Sequence, residues 1–167
     1  DIKAKLEQQA ETRAASEFEN HLMQKIIENT DGVIPKCMFD HRIDSLVSNF
    51  EHSLKQQGMD LDIYLQYTGM DMDSFRESFT ERAENEVTLR LGLEKIAELE
   101  NIEISDEAIE NQLKEIADAN NMTVEDVRMR LPMNDFVDDL RVNKAVEFVK
   151  ENAVVDNTIT SEESEEK

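Results

Sequence analysis

Apolar residues recur every three or four positions along most of the chain, and the breaks in that rhythm divide it into helices. From Ile2 to Asn29 the larger apolar residues fall at Ile2, Leu6, Phe18, Leu22 and Ile26, with Ala10 and Ala14 between them, which predicts one long amphipathic helix. Thr30-Asp31-Gly32 stops it, with Gly32 expected to close the helix in the left-handed conformation. A short extended Val33-Ile34 follows, and Pro35 starts the next helix. That helix, Pro35 to Gln57, carries Phe39, Ile43, Leu46, Phe50 and Leu54 on one stripe, widened by Met38 and Val47, and ends at Gly58. A short helix from Asp60 to about Tyr67 presents Leu61, Tyr64 and Leu65 before Thr68-Gly69 breaks it.

Asp71 or Ser74 caps a fourth helix reaching Glu100, with Phe75, Phe79, Ala83, Val87, Leu89, Leu93, Ile96 and Ala97. Ser74 and Glu77 have the spacing of a reciprocal capping box. Helices two to four predict an antiparallel hairpin, or arm. Ser105-Asp106-Glu107 caps a fifth helix that ends at Asn120-Asn121, and Thr123 opens a sixth that stops before Pro132. Asn134 caps a seventh through Phe136, Val137, Leu140, Ala145, Val146 and Val149, so Ser105 to Val149 predicts a second hairpin-like unit. Residues 1–155 are thus expected to form the helical domain. Residues 156–167 have too little apolar surface to offset their ordering entropy and are expected to be a disordered acidic tail.

Composition sharpens this picture. Only four Gly and two Pro punctuate the 167 residues, too few for a hairpin-rich β fold, so the expected class is all-α. With 39% apolar and 34% charged residues and no Trp, there is little large apolar surface per residue, which suits an elongated multi-helix body. The net charge of −21 disfavours nucleic acid and anionic membrane surfaces as partners. The single Cys37 cannot form an internal disulfide, which suits a reducing compartment. A helical pattern already running at Asp1, without an initiator Met, leads to the expectation that the chain is a piece of a longer protein.

Sites of chemistry are sparse. Cys37, His41 and Asp44 stand at i, i+4 and i+7 of one predicted helix, the spacing of a nucleophile, a base and an orienting acid. No glycine-rich turn adjoins Cys37 to stabilise an oxyanion, and the same face continues as Ser48, His52 and Lys55, an ordinary polar flank. His41 and His52 lie roughly 16 Å apart along the helix, too far to share a zinc ion. The pairs Asp60/Asp62 and Asp71/Asp73 lack the glycine that a calcium loop requires, having Leu65 and Arg76 at that position. No phosphate-binding Gly-Lys-Ser/Thr loop occurs, so neither a cofactor nor ATP hydrolysis is expected.

The methionines say more. Eight occur, many beside loops or helix ends, and a flexible thioether accepts varied apolar shapes at low cost. A methionine also fills irregular gaps in a thin core. The groupings Met59, Met70, Met72 and Met122, Met129, Met133 favour exposed pockets that take varied chains, with Phe39, Phe50 and Phe75 as further candidates that can equally be core.

The order of elements resembles the C-terminal domain of bacterial trigger factor. The resemblance is carried by the long leading helix, Asn29-Thr30-Asp31-Gly32-Val33-Ile34-Pro35 and Gln57-Gly58-Met59-Asp60-Leu61-Asp62-Ile63-Tyr64-Leu65-Gln66-Tyr67-Thr68-Gly69. Ala83-Glu84 through Leu93-Glu94-Lys95-Ile96-Ala97, then Asn101-Ile102-Glu103-Ile104-Ser105-Asp106-Glu107, continue it, and it covers nearly all of residues 1–156. The family implies a SurA-like body with two helical-hairpin arms around a cradle, in a bacterial cytoplasmic chaperone that meets nascent chains at the ribosome. It implies no catalytic residue in this segment. The basic Gly-Phe-Arg-x-Gly ribosome-docking signature and the peptidyl-prolyl isomerase domain of the full-length family pattern do not occur in this sequence. The expected function is therefore ATP-independent binding of unfolded or nascent polypeptides, with any ribosome contact made through a domain outside this segment. The rival is a helical adaptor that docks one fixed protein partner.

Overall fold

Helix ends in this chain are fixed by short polar side chains and by residues able to adopt positive φ. The structure, a computed structural model, describes residues 2–154, without the side chains of residues 2–7 and 11. The tail expected from residue 156 onward lies outside the described residues. Among them are eight helices and no strand: α1 (Ile2–Asn29), α2 (Lys36–Gln56), α3 (Leu61–Thr68), α4 (Met72–Glu77), α5 (Thr80–Leu99), α6 (Asp106–Asn120), α7 (Val124–Arg130) and α8 (Met133–Asn152). The fold is all-α, as the periodicity predicts.

Three N-caps are made by the side chains the spacing points to. Asp71 Oδ1 accepts from the Ser74 amide at 2.8 Å, Ser105 Oγ from the Ala108 amide at 3.3 Å, and Thr123 Oγ1 from the Asp126 amide at 3.2 Å. At the C-terminal ends Gly69 (φ 70°) closes α3 and Asn121 (φ 52°) closes α6 in the left-handed region.

Several boundaries differ from the sequence reading. Gly32 is not left-handed. Helix α1 ends instead through Thr30: its Oγ1 donates to the Ile26 carbonyl at 2.7 Å and its amide to the Ile27 carbonyl at 3.2 Å, which occupies carbonyls that a glycine cap would serve. Pro35 is an extended N-cap residue and not the first helical residue, and Pro132 is the N-cap of α8, with Asn134 inside its first turn instead of capping it. The expected fourth helix is two, α4 and α5. With Asp71 capping α4, Ser74 lies within the helix and the Ser74–Glu77 box is not used. At the break Ser78 Oγ bonds the Phe75 carbonyl at 2.6 Å and the Phe79 amide tightens to an i−3 bond with Arg76.

The described residues divide into two compact units. The first comprises residues 23–95 and holds α2 to α4, the end of α1 and most of α5. Its core begins at Ile43 and Leu46 of α2, which pack on Ala83, a residue small enough to let α5 approach closely. It continues as Leu54, Leu61, Leu65 and Phe75, around which the rings of Phe50, Tyr64 and Phe79 gather. Phe50 lies 5.1 Å from Tyr64 and 5.3 Å from Phe75, and Phe75 lies 5.1 Å from Phe79 in an edge-to-face arrangement. This aromatic cluster explains the break before α5, because it draws Phe79 inward. Where α5 passes the end of α1 a methyl group at Gly92 would stand 2.5 Å from Thr30 Oγ1 and 2.9 Å from Ile26 Cγ2, so the absence of a side chain sets that approach.

The second unit comprises, among the described residues, 2–22 and 96–154. Its core is the α6–α7 corner: Leu113, Ala117 and Val127 are buried, with Ile109, Ile116, Met122, Val124, Leu131, Met133 and Phe136 packed around them. Arg128 of α7 pairs with Glu110 of α6, and Lys150 of α8 pairs with Glu19 of α1 at 2.8 Å.

Candidate binding surface

The residues singled out from sequence fall into three environments. Phe75 is 3% exposed at the centre of the aromatic cluster, and Phe50 packs half-buried against it. Met70 leans on the same core, while Met122 and Met133 fill the edge of the α6–α7 core. These five side chains serve packing, as thioethers and rings do where an apolar gap must be filled. Phe39 is half-buried at a shallow pocket of about 300 Å3 shared with Ile43, Asp73 and Arg76.

Met59, Met72 and Met129 are open to solvent, Met129 at 78%. Two further residues that the methionine pattern does not single out join them. Ile63 is 56% and Tyr67 92% exposed, one helical turn apart on α3 and outside its buried Leu61–Leu65 stripe. The unit of residues 23–95 therefore presents Met59, Ile63, Tyr67 and Met72 on and beside a helix whose opposite side is anchored in the aromatic cluster. Apolar side chains left in water on a rigid support offer favourable contact to another apolar chain. The signal was present in the sequence as a second apolar pair on a helix of only eight residues.

A groove of about 580 Å3 runs between α2 and α5, lined by Met38, Val87 and Leu91 together with Cys37, His41 and Arg90. Cys37 and His41 thus share a surface, but Asp44 does not join them: its carboxylate pairs with Arg76 Nη2 of α4 at 2.6 Å. The three-residue relay is therefore not assembled.

The α2–α5 contact is also ionic. Glu86 accepts from Arg42 Nε at 2.6 Å and from Arg82 Nε at 2.8 Å. Burial pushes the Glu86 carboxyl up, but hydrogen bonds and charge from Arg82 and Arg42 outweigh it, so the group sits below the ordinary carboxylate value. Folded Glu86 is then a stronger acid than unfolded Glu86. Its contribution is complete above the ordinary value of 4.5 and is lost as pH falls through the lower folded value. Because these side chains are partly exposed, the network contributes about 1 kcal/mol or less. In urea unfolding, the stability difference between the parent and Glu86→Gln is expected near neutral pH and should vanish on acidification. A difference that persists in acid contradicts the assignment.

Comparison with known proteins adds a second line of argument. The family model described as bacterial trigger factor protein (TF) C-terminus matches residues 1–155. Trigger factors of Bacillus licheniformis and Bacillus subtilis are each 37% identical to the chain over 151 residues, covering 90% of it and 36% of their own length. That of Acetivibrio thermocellus is 37% identical over 158 residues, covering 92% of the chain and 37% of its own length. The chain thus spans about a third of the length of these curated relatives. No solved structure matches it.

Proposed function

The chain belongs to the bacterial trigger factor C-terminal family, and from that premise we propose that it is an ATP-independent chaperone domain that holds unfolded or nascent polypeptides on exposed apolar residues. The observation that supports this reading best is the open apolar set Met59, Ile63, Tyr67 and Met72, in which Ile63 and Tyr67 stand outward on a helix fixed from behind by Leu61 and Leu65. Met129, and the α2–α5 groove at Met38, Val87 and Leu91, offer further weak anchors.

Weak anchors suit this task. Burying one client side chain contributes about 1.5–3 kcal/mol before ordering costs, so a client is held by several contacts along one chain and released contact by contact. Binding to the ribosome and prolyl isomerisation belong, on this reading, to other segments of a longer protein. The proposed location is the bacterial cytoplasm. Among the described residues no helix is long and apolar enough to cross a membrane. The high negative charge keeps a domain with open apolar residues dispersed and disfavours nucleic acid as a partner.

The test is suppression of aggregation of several unrelated denatured proteins without nucleotide. The parent chain is expected to slow all of them, and the pair Ile63→Ser with Tyr67→Ser to lose most of that effect at unchanged helicity. Protection of none of them, with tight binding to a single partner instead, would favour the adaptor reading. Full activity in the double variant would remove α3 from the binding surface while leaving the function in place.

A further inference from the structure

Only one of the four glycines follows an Asp or Asn: Gly32, after Asp31. We propose that the Asp31–Gly32 bond is a spontaneous isomerisation site, at which the chain acquires an isoaspartyl linkage and becomes a substrate for a methyltransferase that esterifies isoaspartyl carboxylates. Two reactants set the chemistry, the side-chain carboxyl of one residue and the backbone nitrogen of the next. Both are free here. Asp31 and Gly32 lie in the non-helical segment between α1 and α2, both exposed, beside a fully exposed Val33. Among the described residues neither enters a hydrogen bond or ion pair. Apart from its chain neighbours, nothing stands within 4 Å of where a Gly32 side chain would be, so no other part of the fold crowds this residue.

The atoms balance without an added reagent. The Gly32 nitrogen loses its proton and bonds to Cγ of Asp31, one carboxyl oxygen leaves as water, and a five-membered succinimide closes. Water then opens the ring at either carbonyl. Attack at the main-chain carbonyl breaks its bond to the Gly32 nitrogen, so the chain now runs through Cβ and Cγ and the former main-chain carbon carries the free carboxylate. The net result has the original mass and charge and one extra methylene in the backbone.

The Asp-Ser pairs show why position matters. Asp44-Ser45 and Asp73-Ser74 combine an acid with a small following residue, but both lie inside helices. The Ser74 amide is held by Asp71 at 2.8 Å, and the Asp44 carboxylate by Arg76 at 2.6 Å. A helical amide committed to hydrogen bonding cannot turn toward its neighbour's side chain.

The experiment incubates the parent chain, Gly32→Ala and Asp31→Glu at neutral pH and physiological temperature for several weeks. Isoaspartate is counted by enzymatic transfer of labelled methyl groups and located by peptide mapping. The parent is expected to accept several-fold more methyl groups than either variant, nearly all at residue 31, with a transient species lighter by one water. Gly32→Ala is expected to fold, since the glycine has ordinary φ and open surroundings, and circular dichroism checks this. Equal labelling of parent and Gly32→Ala overturns the proposal, as does isoaspartate spread evenly over residues 31, 44 and 73.

Discussion

Phe75→Ala is expected to destabilise the unit of residues 23–95 by about 3–5 kcal/mol, the range for truncating a buried phenylalanine. Phe75 is 3% exposed and its ring lies against Phe50 and Phe79, while Leu54, Leu61 and Leu65 complete its surroundings. Truncation removes contacts to several helices at once, and helices as short as α3 and α4 hold little structure alone. Only two tyrosines occur, Tyr64 and Tyr67, both on α3, so tyrosine near-ultraviolet circular dichroism reports on this region without interference. The signal should melt at much lower urea concentration in the variant. An unchanged midpoint would mean that the cluster does not hold α3 and α4 in place.

Leu113→Ala should have the second-largest effect, about 2–5 kcal/mol, on the α6–α7 corner. Leu113 is fully buried beside Ala117 and Val127, and how far the surrounding Ile109, Ile116, Met122 and Leu131 settle into the vacated space sets where in that range the cost falls. The tyrosines lie outside this corner, so amide hydrogen exchange in α6 and α7 is the measurement to use. Exchange at Leu113, Ala117 and Val127 should accelerate strongly. Exchange at the parent rate would show that another part of the unit carries its stability.

Helix ends closed by local chemistry were legible before any coordinates. Ser105, Thr123 and Asp71 cap within their own four-residue windows, and Asn121 and Gly69 terminate by conformations those residues adopt easily. The break between α4 and α5 was not legible, because neither Ser78 nor Phe79 is a helix breaker; the cause is the attraction of the Phe79 ring to a cluster that includes Phe50, distant in sequence. Asp71 was also one of two candidate caps, and only the hydrogen bond to Ser74 decides between them.

The surface was legible only in part. A methionine has the same local signature whether it plugs a gap, as Met122 and Met133 do, or stands in water, as Met129 does. Burial depends on what another helix brings to the position, and side-chain type does not encode that. Ile63 and Tyr67 escaped notice for a related reason. A two-turn helix offers too few positions for two apolar faces to be told apart by periodicity, and the wet one is identified only when the dry one is seen packed.

The notch at Gly92 restricts sliding between α1 and α5. The hydroxyl of Thr30 fits there because no side chain opposes it, and that hydroxyl is itself tied to the Ile26 carbonyl. Shifting α5 by a single residue would bring Leu91 or Leu93 against a group that cannot retreat without giving up its bond. The two helices can therefore meet in one alignment and not its neighbours, like a tooth in its slot.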